Sequence, residues 1–265
     1  MSPVRRPLSP RVLAGAALAV ATLSCGEVPT LPDGIAYIST IILPAPAVAV
    51  GDTMRDATGK ATPLRIDAFG QDGQPIPVDP TYIVTTVPGP SATVTPAGFV
   101  IGDSLRSVRI VGRVGDRLQT PPATFDVVRQ PDSISATTDT RFVLGEVSAG
   151  QVYSISSPLA VFVSSGGTAI RGGVKGIIVQ FAVTKIFPAS AQIPDTTIVL
   201  IDDVNRFAQP DGRLSVDTTD SQGQASRRLR APPFGYDSVE IQATARNLKG
   251  IPLRGTPIRF IVSTR

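Results

Sequence analysis

The sequence contains no histidine, no tryptophan, a single cysteine and only three glutamates. Without histidine there is no Ser-His-Asp or Cys-His catalysis, and the commonest zinc ligand is missing. One cysteine cannot build a thiolate metal site or an internal disulfide. Eighteen aspartates against three glutamates (Glu27, Glu146 and Glu240) is a turn-forming balance. A short carboxylate bonds the backbone two residues on, whereas Glu suits helices. Nor does any apolar run reach the roughly 20 residues that a membrane-spanning helix needs.

What is abundant points the same way. The chain carries 25 Pro and 24 Gly with 17% charged residues, and Val, Ile and Thr recur in short bursts. This composition predicts an all-β chain of short strands divided by rigid turns. The formal charge of +4 includes Arg5, Arg6 and Arg11 of the N-terminal stretch; from Cys25 onward 22 basic side chains face 21 acidic ones. With so even a balance, and the cations scattered, there is no footprint for nucleic acid.

Residues 1–24 combine a basic start, the apolar run VLAGAALAVATLS and small residues at its exit, the plan of a cleaved export signal. Two cleavage sites compete. Ala19-Val20-Ala21 fits ordinary signal peptidase, which would leave secreted or periplasmic protein. Thr22-Leu23-Ser24-Cys25 resembles the lipobox of bacterial lipoproteins, with Thr22 where an aliphatic residue is usual. Cleavage at Ala21 would export an unpaired thiol open to oxidation, whereas lipidation of Cys25 removes that liability. Cys25 is therefore the expected lipidation site, and a membrane contacted through that lipid the expected partner. Residues 25–36 read as a tether, in which the segment GEVPTLPDG after Cys25 spans at most about 35 Å. Gly26 lacks the aspartate that resembles an inner-membrane retention signal, which favours the outer membrane or cell surface.

Beyond the tether, Leu64–Ala68, Ser107–Ile110 and Thr124–Val127 alternate apolar and polar side chains, with a turn at Gln71–Gln74. Residues 37–130 resemble the group 2 bacterial immunoglobulin-like domains through Val48–Thr53, Ala68–Ile76, Ala92–Val94, Gly98–Val100 and Val108–Val111. The resemblance implies a middle-strand aromatic, a place that Tyr82 takes here.

In the second half Val239–Arg246 alternates over eight residues, turns at Asn247–Gly250 and returns through Ile258–Val262, which predicts a hairpin with one buried face. Residues 160–265 resemble the invasin/intimin-type (group 1) immunoglobulin-like domains. The carriers are Gly172–Val183, Thr218–Ala225, the closing hairpin and Gly250-Ile251-Pro252-Leu253. Gly176–Val183 and Gly255–Val262 also share G-x-x-[VI]-x-F-x-V at a separation of 79 residues. They read either as remnants of a tandem repeat or as two strands answering one packing problem.

The expectation is thus two tandem immunoglobulin-like antiparallel sandwiches, 37–130 and 131–265, with a linker inside 131–160 around Pro131. Chemistry is sparse. Asp202-Asp203-Val204-Asn205 with Asp211 could form an oxygen-rich calcium site or a solvated turn. Pro232-Pro233-Phe234-Gly235-Tyr236 places two rings in a loop that either caps the sandwich or meets a partner. Gly166-Gly167 and Gly172-Gly173 lack the G-K-[ST] of a phosphate loop. No catalytic residue, cofactor or metal is assigned. The reading is a non-enzymatic envelope lipoprotein for adhesion, protein interaction or spacing; the alternative is a carbohydrate- or calcium-binding module, so the outer partner is a protein or a glycan.

Overall fold

The turns at Gln71–Gln74 and Asn247–Gly250 fall where the sequence places them. In the first, Gly70 N donates to Gln74 O at 2.9 Å and Gln74 N to Asp72 Oδ1 at 3.0 Å. In the second, Asn247 Oδ1 accepts from the amides of Lys249 and Ile251, both at 2.9 Å. The computed structural model describes residues 34–85, 89–115, 117–147, 150, 152–166, 172–188, 197–202 and 212–264. Residues 1–33, including the leader and Cys25, lie outside them, as do Asp203, Asn205 and Asp211 of the calcium candidate.

The chain is all-β, and no α-helix occurs among the described residues. The first half contains β1 (Ile35–Ile38), β2 (Ala47–Ala49), β3 (Ala68–Gly70), β4 (Pro75–Ile76), β5 (Thr81–Val84), β6 (Ala92–Val94), β7 (Val100–Gly102), β8 (Arg106–Val114), β9 (Leu118–Gln119) and β10 (Ala123–Val128). One sheet runs β1-β3-β4, a second runs β2-β10-β8-β5, and β6 and β7 form a ribbon. β1 takes up Ile35 and Ala36, which the sequence reading assigns to the tether. The second half contains β11 (Ser133–Ala136), β12 (Arg141–Val143), β13 (Ser154–Ile155), β14 (Leu159–Ser165), β15 (Gly172–Gly173), β16 (Ile178–Phe187), β17 (Val199–Ile201), β18 (Leu214–Thr218), β19 (Gln224–Ala231), β20 (Ser238–Ala245) and β21 (Ile258–Ser263). One sheet is built on β11-β14-β19-β13, and the facing one runs β12-β21-β20-β16-β18.

Both halves begin with the same move. β1 pairs antiparallel with β3, then β2 crosses to the other sheet and pairs parallel with the last strand, β10. β11 pairs antiparallel with β14, then β12 crosses and pairs parallel with β21. These two parallel pairs sit in sandwiches whose other strand pairs are antiparallel, as expected. Each crossing strand covers the last strand and becomes the sheet edge itself, and the long path between the two permits parallel pairing.

Two hydrophobic clusters fill the interiors. Val48, Met54, Leu64, Ile66, Val108, Ile110, Phe125 and Val127 belong to the first. Leu159, Val161, Val163, Ile177, Phe181, Leu229, Ile241 and Phe260 belong to the second. Leu64–Ala68 keeps its alternating burial, but only Ala68 belongs to a strand, β3, and before it the pairing is reduced to the bridge between Arg65 and Ile42. Tyr82 packs against the first core from β5, an edge strand and not a middle one. Its hydroxyl is buried without a hydrogen-bond partner, and burial pushes its pKa up to about 12.

The two G-x-x-[VI]-x-F-x-V segments lie in one sheet, flanking β20 on either side. Phe181 stands opposite Ala243 and Phe260 opposite Ile241, both rings fully buried. Inside one sandwich, the echo is a shared packing solution. Glu240, on the other face of β20, is covered as well. Its Oε1 accepts from Gln242 Nε2 at 2.8 Å and Thr184 Oγ1 at 3.0 Å. Those bonds, the Gln242 one first, and then Lys185 and Arg259 hold its carboxyl below the usual range.

Candidate interaction surfaces

The join between the halves is short. β10 ends at Val128 and β11 starts at Ser133, so the strands run almost directly from one sandwich into the next. Pro131 lies in this step. Asp132 then fixes the start of the second half: Ser133 Oγ donates to its Oδ1 at 2.7 Å and Gly166 N to its Oδ2 at 3.1 Å. Ala47 and Val128, from strands of the first half, are buried in the second cluster.

Across this junction two glycine turns meet backbone to backbone. A Cβ on Gly250 would lie 2.9 Å from Gly59 Cα and 2.9 Å from Thr58 O. Both glycines have positive φ, at 87° and 79°. Each turn is clasped by an arginine of its own half: Arg55 Nη1 donates to Gly59 O at 3.1 Å, and Arg246 Nη1 to Gly250 O at 2.8 Å. Asp52 ties the two sides together, with Oδ1 3.2 Å from Arg55 Nη2 and Oδ2 3.8 Å from Lys249 Nζ. A second pair, Lys175 Nζ to Asp126 Oδ2 at 3.0 Å, also links the halves. Beside the glycine contact lies a cleft of about 150 Å³ lined from both halves.

Strand direction fixes which loops share the end remote from this junction. β16 leaves the junction side and ends at Phe187, paired with the start of β20 at Ser238. β12 and β21 end together at Val143 and Ser263, and β13 pairs with the end of β19 at Ala231. Six of the thirteen exposed large hydrophobic residues among the described ones collect here: Val143, Val152, Tyr153, Ile155, Phe187 and Phe234. The proline-rich loop divides its two rings. Tyr236 folds into the core at 5% exposure, while Phe234 stays outside at 64%. The Arg230 guanidinium lies 5.2 Å from the Tyr153 ring centre, within cation–π range.

Sequence reading found Phe234 and Tyr236 as a pair but not their division. It missed the cleft entirely, since Arg55 and Arg246 lie 191 positions apart and no local pattern joins them. Asp202 stands just beyond β17. No cluster of three or more potential metal ligands occurs among the described residues.

No protein-family model matches the chain, and no curated protein does. Among solved structures, the chain is similar to the Yersinia pseudotuberculosis adhesin InvE at 16% identity and a TM-score of 0.34, covering 88% of this chain. It spans 61% of that adhesin structure's length. It is similar to domains 4 and 5 of the S-layer protein SbsC at 12% identity and a TM-score of 0.30, covering 86% of this chain and 98% of that one. For the D0-D1 domain of intimin the figures are 13% identity and a TM-score of 0.23, covering 86% and 95%.

Proposed function

We propose that the protein is a non-enzymatic lipoprotein of the bacterial envelope, anchored through Cys25 at the outer membrane or cell surface. Its two immunoglobulin-like sandwiches carry an adhesive or protein-binding end away from the anchor. The observation that supports this is the polarity of the body. β1 begins at Ile35, paired with Gly70 at the end of the first sandwich remote from the junction, close in sequence to Cys25. The exposed apolar side chains, Phe234 foremost, crowd the opposite end of the second sandwich. Exposed apolar groups that gather in one place mark contact surfaces more often than ones scattered singly.

The test is metabolic lipid labelling of the wild type beside Cys25→Ala, followed by protease treatment of intact cells. Label on the wild type alone, with the second sandwich cut from outside, is the expected outcome. Equal labelling, or none, removes the anchor. A doubly substituted Val152→Asp/Phe234→Asp protein should remain folded and anchored while cell adhesion falls; unchanged adhesion leaves the spacer role.

A further inference from the structure

We propose that the junction cleft is a binding site for a small monoanionic carboxylate bearing an aliphatic tail. The cleft has an apolar wall of Pro46, Ile178 and Leu248 and a polar rim that includes Gln180 and Thr244. Its volume of about 150 Å³ matches a cavity large enough for a six-carbon ring. Clefts between domains are favoured places for small ligands because both walls are already built. Here the walls cannot collapse onto each other, since Gly59 and Gly250 already touch beside it and Gly176 lies against Ala47.

The charge of the ligand follows from the two arginines. Arg246 is exposed, and among the described residues its side chain has one hydrogen bond, to Gly250 O, and no carboxylate pairs with it. Arg55 is held in place by Asp52 and Gly59 O, yet its Nε is buried with no hydrogen-bond partner. Of the two acidic groups nearby, Asp56 lines the cleft, and both already have partners. Asp52 serves Arg55 and Lys249. Asp56 accepts from Thr58 N, Thr58 Oγ1 and Lys60 N through Oδ1, and from Thr62 Oγ1 through Oδ2. Three cations, Arg55, Arg246 and Lys249, therefore meet two carboxylates, leaving one positive charge. A guanidinium fork takes a carboxylate or a phosphate equally well, but one uncompensated positive charge matches the single negative charge of a carboxylate, and the apolar wall selects an aliphatic tail over a sugar.

The experiment titrates the full-length chain with 4-methylpentanoate and follows the amide resonances of Thr244 and Asn247. Saturable shifts are expected, with 4-methylpentanamide, equal in shape but uncharged, binding at least tenfold more weakly. Arg246→Gln should weaken the acid at least tenfold, and Arg246→Lys less. Ala57→Phe, which fills the cleft from an exposed loop and leaves both arginines in the chain, should abolish binding. A dipeptide ending in leucine with a free carboxylate separates the sources: tighter binding than the acid assigns the site to a peptide C-terminus, weaker binding to a free acid. Failure of the acid to saturate, equal affinity for acid and amide, or indifference to both Arg246→Gln and Ala57→Phe overturns the proposal. These outcomes are independent of lipid labelling at Cys25.

Discussion

Arg227 and Asp217 join the two sheets of the second sandwich, with Nη1 3.0 Å from Oδ2. Asp217 lies on β18 and Arg227 on β19, which belong to facing sheets. Arg227 also donates through Nε to Ser215 Oγ at 2.7 Å and through Nη2 to Val216 O, and its side chain is only 11% exposed. Asp217 Oδ2 in turn accepts from Ser226 N at 2.8 Å. A charged group with this many partners behaves unlike a surface ion pair, because removing one end strands the other. Arg227→Ala should cost about 2–3 kcal/mol of stability in urea unfolding. A double-mutant cycle with Asp217→Ala should return a coupling well above the roughly 0.5 kcal/mol of an exposed pair.

The glycine contact at the junction makes a comparison possible. Gly250 and Gly51 both have positive φ, at 79° and 73°, but a Cβ on Gly51 would meet nothing within 4 Å. Gly51→Ala therefore carries only the backbone penalty of about 1 kcal/mol. Gly250→Ala carries that penalty and also drives a methyl group into Gly59 and Thr58. It should destabilise the protein more than Gly51→Ala does and widen the distribution of interdomain orientations in small-angle scattering. Equal scattering profiles for the two variants would show that the glycine contact does not set the junction.

Thr219 accounts for the turn that the sequence reading used to define the second half. Its hydroxyl donates to Val174 O at 2.7 Å and accepts from Ile177 N at 2.9 Å, buried at 2% exposure. The turn is thereby tied to the loop that leads into β16. Thr219→Val keeps the shape and leaves two buried backbone groups unpaired, an expected loss of about 1–3 kcal/mol. Thr219→Ser restores the hydroxyl and should recover most of it. Thermal unfolding of the three proteins measures the difference.

Alternation and turn chemistry made much of this fold legible. β8, β10, β20 and β21 follow from residues on one strand, and the turns at Asp72, Asp220 and Asn247 from side chains that bond amides two and four residues ahead. What stayed hidden depends on contacts between separate elements. The parallel pairing of β12 with β21 joins Phe142 to Val262, and Arg227 meets an aspartate of another sheet. The Gly59–Gly250 contact joins turns of different sandwiches. None of these has a periodic signature, because each is selected by packing between elements. The split between Phe234 and Tyr236 is of the same kind, decided by which ring finds a cavity.

The two buried phenols set how the protein responds to alkali. Tyr82 and Tyr236 both place their hydroxyls in the interior without a hydrogen-bond partner, and burial raises both pKa values, that of Tyr82 to about 12. A phenol whose folded pKa lies above its unfolded value of about 10 favours the folded state fully below pH 10. That contribution is lost as pH rises from there through the folded pKa, since the unfolded chain ionises first. The double variant Tyr82→Phe/Tyr236→Phe removes both titrations, so its alkaline unfolding midpoint should move to higher pH. At neutral pH the same change deletes two unsatisfied hydroxyls while keeping the rings. Tyr236→Phe should therefore be neutral or stabilising by up to about 1 kcal/mol, the reverse of the usual loss on deleting a hydroxyl. Urea unfolding at pH 7 and at pH 11 reads both effects, and a loss exceeding 1 kcal/mol at pH 7 would mean that the Tyr236 hydroxyl holds a bound water.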